Sequence, residues 1–120
     1  LLPARSNIPG FDWAMAANFE KLLAYGVRIY FSPPPFDHSK LMIVDGRWAL
    51  VGSTNWDQRS LRLNFEANLE CVDPALGGEL ERYFDGKKAL ARELQLQTVQ
   101  ATPLWMRLRN NFARLFSPYL

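Results

Sequence analysis

The one histidine of this 120-residue chain, His38, stands two positions before Lys40. Side chains alternate faces along a strand, so an imidazole and an ammonium at this spacing aim at one spot. The pair suits a phosphate. The lysine neutralises a non-bridging oxygen, while the imidazole attacks phosphorus or protonates a leaving oxygen. Gly52-Ser53-Thr54-Asn55 follows on what reads as the return strand. Gly52 allows close backbone approach, and the Asn55 amide can donate to a second phosphate oxygen. A working imidazole also needs its other ring nitrogen held by an acceptor, and Glu66 is the candidate.

The elements that must position these groups are legible from period and punctuation. Residues 38–51 read as a hairpin closed at Asp45-Gly46, with Leu41 and Ile43 turned to the core. A strand is predicted over 63–72, with Phe65, Ala67, Leu69 and Cys71 on one face and Asn64, Glu66, Asn68 and Glu70 on the other. Upstream, Asp12 caps a helix running to about Tyr25 that Gly26 stops, and Val27, Ile29 and Phe31 alternate as a strand. Pro33, Pro34 and Pro35 stiffen the approach to His38. After Asp73-Pro74 the spacing turns helical, with Leu80, Tyr83, Phe84, Lys87, Leu90, Ala91 and Leu94 on one stripe. Thr102-Pro103 opens a last amphipathic helix, residues 103–116. The fold class is α/β, a mixed sheet flanked by helices.

Composition narrows the field. A hydrophobic content of 48% supports a core and argues against disorder. The net charge of +2 allows an anionic partner without the concentrated basic face of a nucleic-acid binder. The single cysteine, Cys71, excludes an internal disulfide or a cysteine metal cluster, fits a reducing compartment, and reads as a small core residue. No apolar run reaches the ~18 residues of a membrane span, and no signal-peptide pattern is present. A start at Leu1-Leu2 without methionine is read as an excision from a longer protein.

The pattern His38-x-Lys40-x4-Asp45-x6-Gly52-Ser53-x-Asn55 resembles the HKD signature of the phospholipase D superfamily. Asn55-Trp56-Asp57-Gln58-Arg59-Ser60-Leu61, then Asn64-Phe65-Glu66, resemble the second HKD half of bacterial cardiolipin synthases, as do FEKLLAYGVRIY upstream and the terminal FSPYL. Agreement is weaker over 74–102. The resemblance implies one half of a two-lobed fold, in which two HKD motifs meet across a pseudo-twofold axis. The joint site would need no metal and no cofactor. One histidine becomes a phosphohistidine, and the other protonates the departing alkoxide and then activates an alcohol or water. His38 would be that acid and base, Lys40 and Asn55 would bind phosphate, and Glu66 would orient an imidazole. Asp45 would close the hairpin turn, and Ser53 would touch phosphate or only fit the turn.

The implied reaction joins two phosphatidylglycerols and releases glycerol. The implied partner is the N-terminal HKD half or a second copy of the chain. The parent would act on anionic phospholipid at the cytoplasmic membrane, with the fragment itself soluble and no nucleic acid expected. Rival readings are another lipid hydrolase, a homodimeric nuclease, or an idle half that only completes a partner. Alone, a histidine is more often a packing residue; the surrounding motif reverses that. Trp48 and Trp56 read as core or rim, and Arg59 as a phosphate contact or a partner of Asp57. The stripe Leu104, Trp105, Leu108, Phe112, Leu115 and Phe116 fits either a lipid-surface helix or a helix packed on the missing half. Packing is favoured, because most amphipathic helices bury their stripe.

Overall fold

A computed structural model describes residues 1–4, 9–35 and 37–116. In chain order its elements are β1 (Leu2–Pro3), α1 (Pro9–Ala16), α2 (Phe19–Ala24), β2 (Tyr30–Ser32), β3 (Lys40–Val44), β4 (Trp48–Gly52), α3 (Gln58–Arg62), β5 (Asn68–Val72), α4 (Pro74–Ala89), β6 (Arg92–Glu93), α5 (Leu96–Gln100) and α6 (Leu104–Leu115). They form two compact units, Leu1–Phe36 with Ala91–Leu120, and Asp37–Leu90. The expected mixed sheet is therefore two three-stranded sheets, with helices around both.

In the first unit β2 pairs parallel with β1 and antiparallel with β6. Phe19, Ile29 and Leu94 form its buried core, with Leu2, Met15, Leu23, Phe31 and Val99 packed around them. The Phe19 and Phe31 rings meet edge to face at 5.8 Å. The helix expected over 12–25 is two helices. Asn18 N–H bonds to Met15 O, a tighter turn than the α-helix makes, before Leu22 N–H resumes on Asn18 O. Asp12 lies inside α1 rather than at its cap. The stop at Gly26 is as read. Its φ is +83°, and Val27 N–H to Leu22 O with Gly26 N–H to Leu23 O completes a Schellman end.

In the second unit β3, β4 and β5 form an antiparallel meander. Leu41, Val51 and Leu69 share one face with Ile43, Ala49 and Cys71, and Ala49 is buried there, whereas Cys71 is only half-buried. The strand expected over 63–72 survives only as Asn68–Val72, because β4 ends at Gly52, the partner of Asn68. Ahead of it, Asp57 caps α3 by accepting from Ser60 N–H at 2.7 Å. Asp73 caps α4 by accepting from Ala75 and Leu76 N–H, with Pro74 in the first turn. That helix ends before Leu90, so Leu90, Ala91 and Leu94 leave the predicted stripe, and Leu94 joins the other unit's core.

The last helix begins at Leu104 without a side-chain cap, and the Thr102 hydroxyl donates instead to Thr98 O. Its apolar stripe is not buried in this chain, and Leu108 and Phe112 are 62% and 64% exposed. In FSPYL, residues 117–120 lie outside the described residues. Among the described residues no side chain is both large and fully buried, so the core is thinner than the composition suggested. Phe65, wholly exposed, stands with Leu61, Leu63 and Leu69 as uncovered apolar surface of the second unit. No helix among the described residues is long and apolar enough to cross a membrane.

Candidate active site

The hairpin that carries His38 is fixed at its closed end by backbone shape. Asp45 and Gly46 have φ of +53° and +60°, the left-handed values that a tight hairpin turn of this kind needs, and Arg47 N–H closes onto Val44 O at 3.1 Å. Asp45 therefore does sit in the turn. Helix α4 lies against that turn through Gly77, where a Cβ would fall 2.3 Å from Gly46 O. Only glycine permits that approach.

At the open end, Lys40 pairs with Gly52 and Gly52 with Asn68. A Cβ on Gly52 would strike Asn68 Oδ1 at 2.2 Å and Ala67 O at 2.5 Å, so the glycine makes room for the asparagine. Asn68 Nδ2 donates to Thr54 Oγ1 at 2.7 Å, and Asn68 Oδ1 accepts from Thr54 N–H at 3.4 Å. Ser53 extends the ladder one pair further, its N–H donating to Ala67 O and its Oγ accepting from Ala67 N–H, both at 3.0 Å.

Glu66 gathers the same segment. Its Oε2 accepts from Ser53 Oγ at 2.5 Å, and its Oε1 accepts from Ser60 Oγ at 2.5 Å and Asn64 Nδ2 at 3.3 Å. Ser60, almost fully buried, also accepts from Asn55 N–H at 2.9 Å and so ties the backbone of Asn55 to Glu66. The Ser53 hydrogen bond, then that of Ser60, holds the Glu66 carboxyl below its ordinary value, and the Lys40 charge adds to this. Sequence reasoning missed Ser60, whose burial and tie to Glu66 appear only in the structure.

The Lys40 ammonium donates to His38 Nδ1 at 2.7 Å and to His38 O at 2.6 Å. Lys40 thus touches His38 and biases Glu66, which brings three of the predicted residues into one electrostatic group. The side chain of Asn55 is exposed, and Trp56 beside it is a rim residue. Trp48 is half-buried, its indole donating to Glu70. The Asp57 carboxylate is used in capping α3. Among the described residues no three His, Cys, Asp or Glu side chains converge as metal ligands.

Sequence reasoning also missed Asp37. Its Oδ1 accepts from Ser39 N–H at 2.9 Å, an Asx turn that flanks His38, and its Oδ2 accepts from Lys87 Nζ at 2.7 Å and Tyr83 OH at 3.4 Å. The Lys87 hydrogen bond, then those of Ser39, push the Asp37 carboxyl far below the carboxylate range. A carboxyl depressed on folding contributes stability that is complete above its unfolded value of about 3.9 and is lost as pH falls below it. Urea melts between about pH 2 and pH 5 should show a steeper loss for the natural chain than for Asp37→Asn. Parallel curves would remove Asp37 from the acid limb.

The family described as "Cardiolipin synthase, PLD-like domain" matches residues 1–88. The chain belongs to that family. This PLD-like domain is 38% identical over all 120 residues to the protein named Cardiolipin synthase A of Citrobacter koseri, and equally to those so named in Escherichia coli and Salmonella arizonae. In each case the match covers 100% of the chain and 25% of the relative. The PLD-like domain thus spans about a quarter of the length of these bacterial relatives.

Proposed function

We propose that this PLD-like domain supplies one of the two HKD motifs of a phosphatidyltransferase that makes cardiolipin from two phosphatidylglycerols. The observation that carries the reading is the Lys40–His38 contact beside the returning Gly52–Asn55 segment, an ammonium and an imidazole at one end of one hairpin. The nucleophile is a histidine of the complementary half. It attacks the phosphodiester phosphorus of the first phosphatidylglycerol, and the bond from phosphorus to the headgroup glycerol oxygen breaks. His38, as the imidazolium, gives its Nε2 proton to that oxygen and keeps the proton on Nδ1. The hydroxyl of a second phosphatidylglycerol then attacks the phosphohistidine while His38 takes its proton, so cardiolipin and one glycerol leave per cycle.

Lys40 and Asn55 hold the non-bridging oxygens, with the Ser53 hydroxyl beside them. As the ammonium turns to phosphate it frees Nδ1 to take up a proton, and Glu66 is the carboxylate we assign to accept that N–H and orient the ring. The parent works at the cytoplasmic membrane, where its substrates are.

The test is product analysis with the longer parent protein. Phosphatidylglycerol vesicles should give cardiolipin and glycerol in equal amounts. Phosphatidic acid as the main product would make water the acceptor, and turnover of DNA in place of lipid would make the protein a nuclease.

A further inference from the structure

Helix α6 packs on α1 through one side only. Ala113 is buried on that side, and the Arg109 guanidinium lies 4.3 Å from the centre of the Trp13 ring of α1. At about 100° per residue, Leu104, Trp105, Leu108, Phe112 and Leu115 fall on a separate arc of roughly 100°. All five are exposed, Leu104 and Leu115 to 70%. Arginines stand on both flanks of this arc. Arg109 lies on one side and also stacks on Trp105 at 5.6 Å, while Arg107 and Arg114 lie on the other. Arg107 is paired with Glu20 of α2 at 2.9 Å, and its side chain stays exposed on that flank. No acidic residue occurs after Glu93.

We infer that α6 is a docking helix for an anionic lipid surface, inserting the Leu104–Leu115 stripe among acyl chains with the arginines at the headgroups. An apolar arc of Leu, Trp and Phe with arginines on both sides, beyond Asn111 on one edge and Phe116 on the other, suits a helix lying in a bilayer interface. Arginine stems lie along such an arc while their charges stay in the headgroup layer. The cationic border fixes the sign of the partner, and the absence of any acid on the helix removes repulsion from anionic headgroups. This inference does not depend on the transfer chemistry, because it is read by binding alone.

The test uses the 120-residue chain and vesicles of phosphatidylglycerol mixed with phosphatidylcholine, set against phosphatidylcholine alone. The chain should co-sediment with the anionic vesicles at least tenfold more tightly and detach in 1 M salt, where charges are screened beyond about 3 Å. Arg114→Gln should weaken binding about fivefold, the share of one arginine at a charged surface. Leu108→Glu with Phe112→Glu should abolish it. Tryptophan fluorescence should shift to the blue on binding, and Trp105→Phe should remove most of that shift. Failure of the natural chain to bind anionic vesicles overturns the inference. So does full binding by Arg114→Gln, a measurement that stands even where the double variant misfolds. Loss of self-association in the double variant, with no vesicle binding by either form, assigns the stripe to a second copy and overturns it as well.

Discussion

Replacing His38 by alanine should lower cardiolipin formation by the longer parent protein about 100- to 10,000-fold, the usual worth of a positioned acid or base. The dependence on leaving group carries more information than the size of the loss. The natural leaving group is a glycerol alkoxide, which needs a proton. A substrate that releases nitrophenolate does not, so the His38→Ala protein should recover its first step with it. Lys40→Ala should also be severely impaired, by the order of 100-fold or more, because the ammonium stabilises charge on the phosphate itself. That charge develops whatever group departs, so an activated substrate should not rescue the lysine variant. Equal rescue of both variants would place Lys40 in proton transfer, and rescue of neither would take the acid role from His38.

The 120-residue chain alone, held as a monomer, should form no cardiolipin. The proposed cycle uses two histidines, one as nucleophile and one as acid, and this chain has one. Adding the complementary part of the parent should restore turnover in proportion to complex formed. Because a second copy could bring a second His38, sedimentation must accompany each assay. Activity that tracks a dimer would support a homodimeric site, and activity in a proven monomer would sink the two-histidine account.

The parts of this fold that the sequence disclosed are those whose cause is local. Asp45-Gly46 demands positive φ, Asp73-Pro74 starts a helix, Gly26 ends one, and each does so in the structure. Periodicity was a weaker guide. Met15, Phe19, Leu22 and Leu23 keep a helical spacing across the break at Asn18, so their pattern could not show it. The alternation over 63–72 is real, but a strand exists only where a partner offers hydrogen bonds, and β4 with Ser53 after it reaches no further than Ala67.

The site divides the same way. Lys40 beside His38 follows from two residues in one segment. The ties from Asn68 to Thr54, Ser53 to Glu66 and Lys87 to Asp37 join residues 13 to 50 positions apart. Nothing in either segment alone announces them. Glu66 illustrates the limit. Its type and strand position suggested an acceptor for an imidazole nitrogen, whereas the donors it meets in the structure include Ser53, Ser60 and Asn64.

The most direct measurement is the location of the covalent phosphatidyl group. The parent protein should be mixed with an activated phosphatidyl substrate and quenched in alkali, where phosphohistidine survives, before peptide mass spectrometry. The proposed cycle predicts the adduct on a histidine outside these 120 residues, in the natural protein and in His38→Ala alike. An adduct on His38 itself would contradict it.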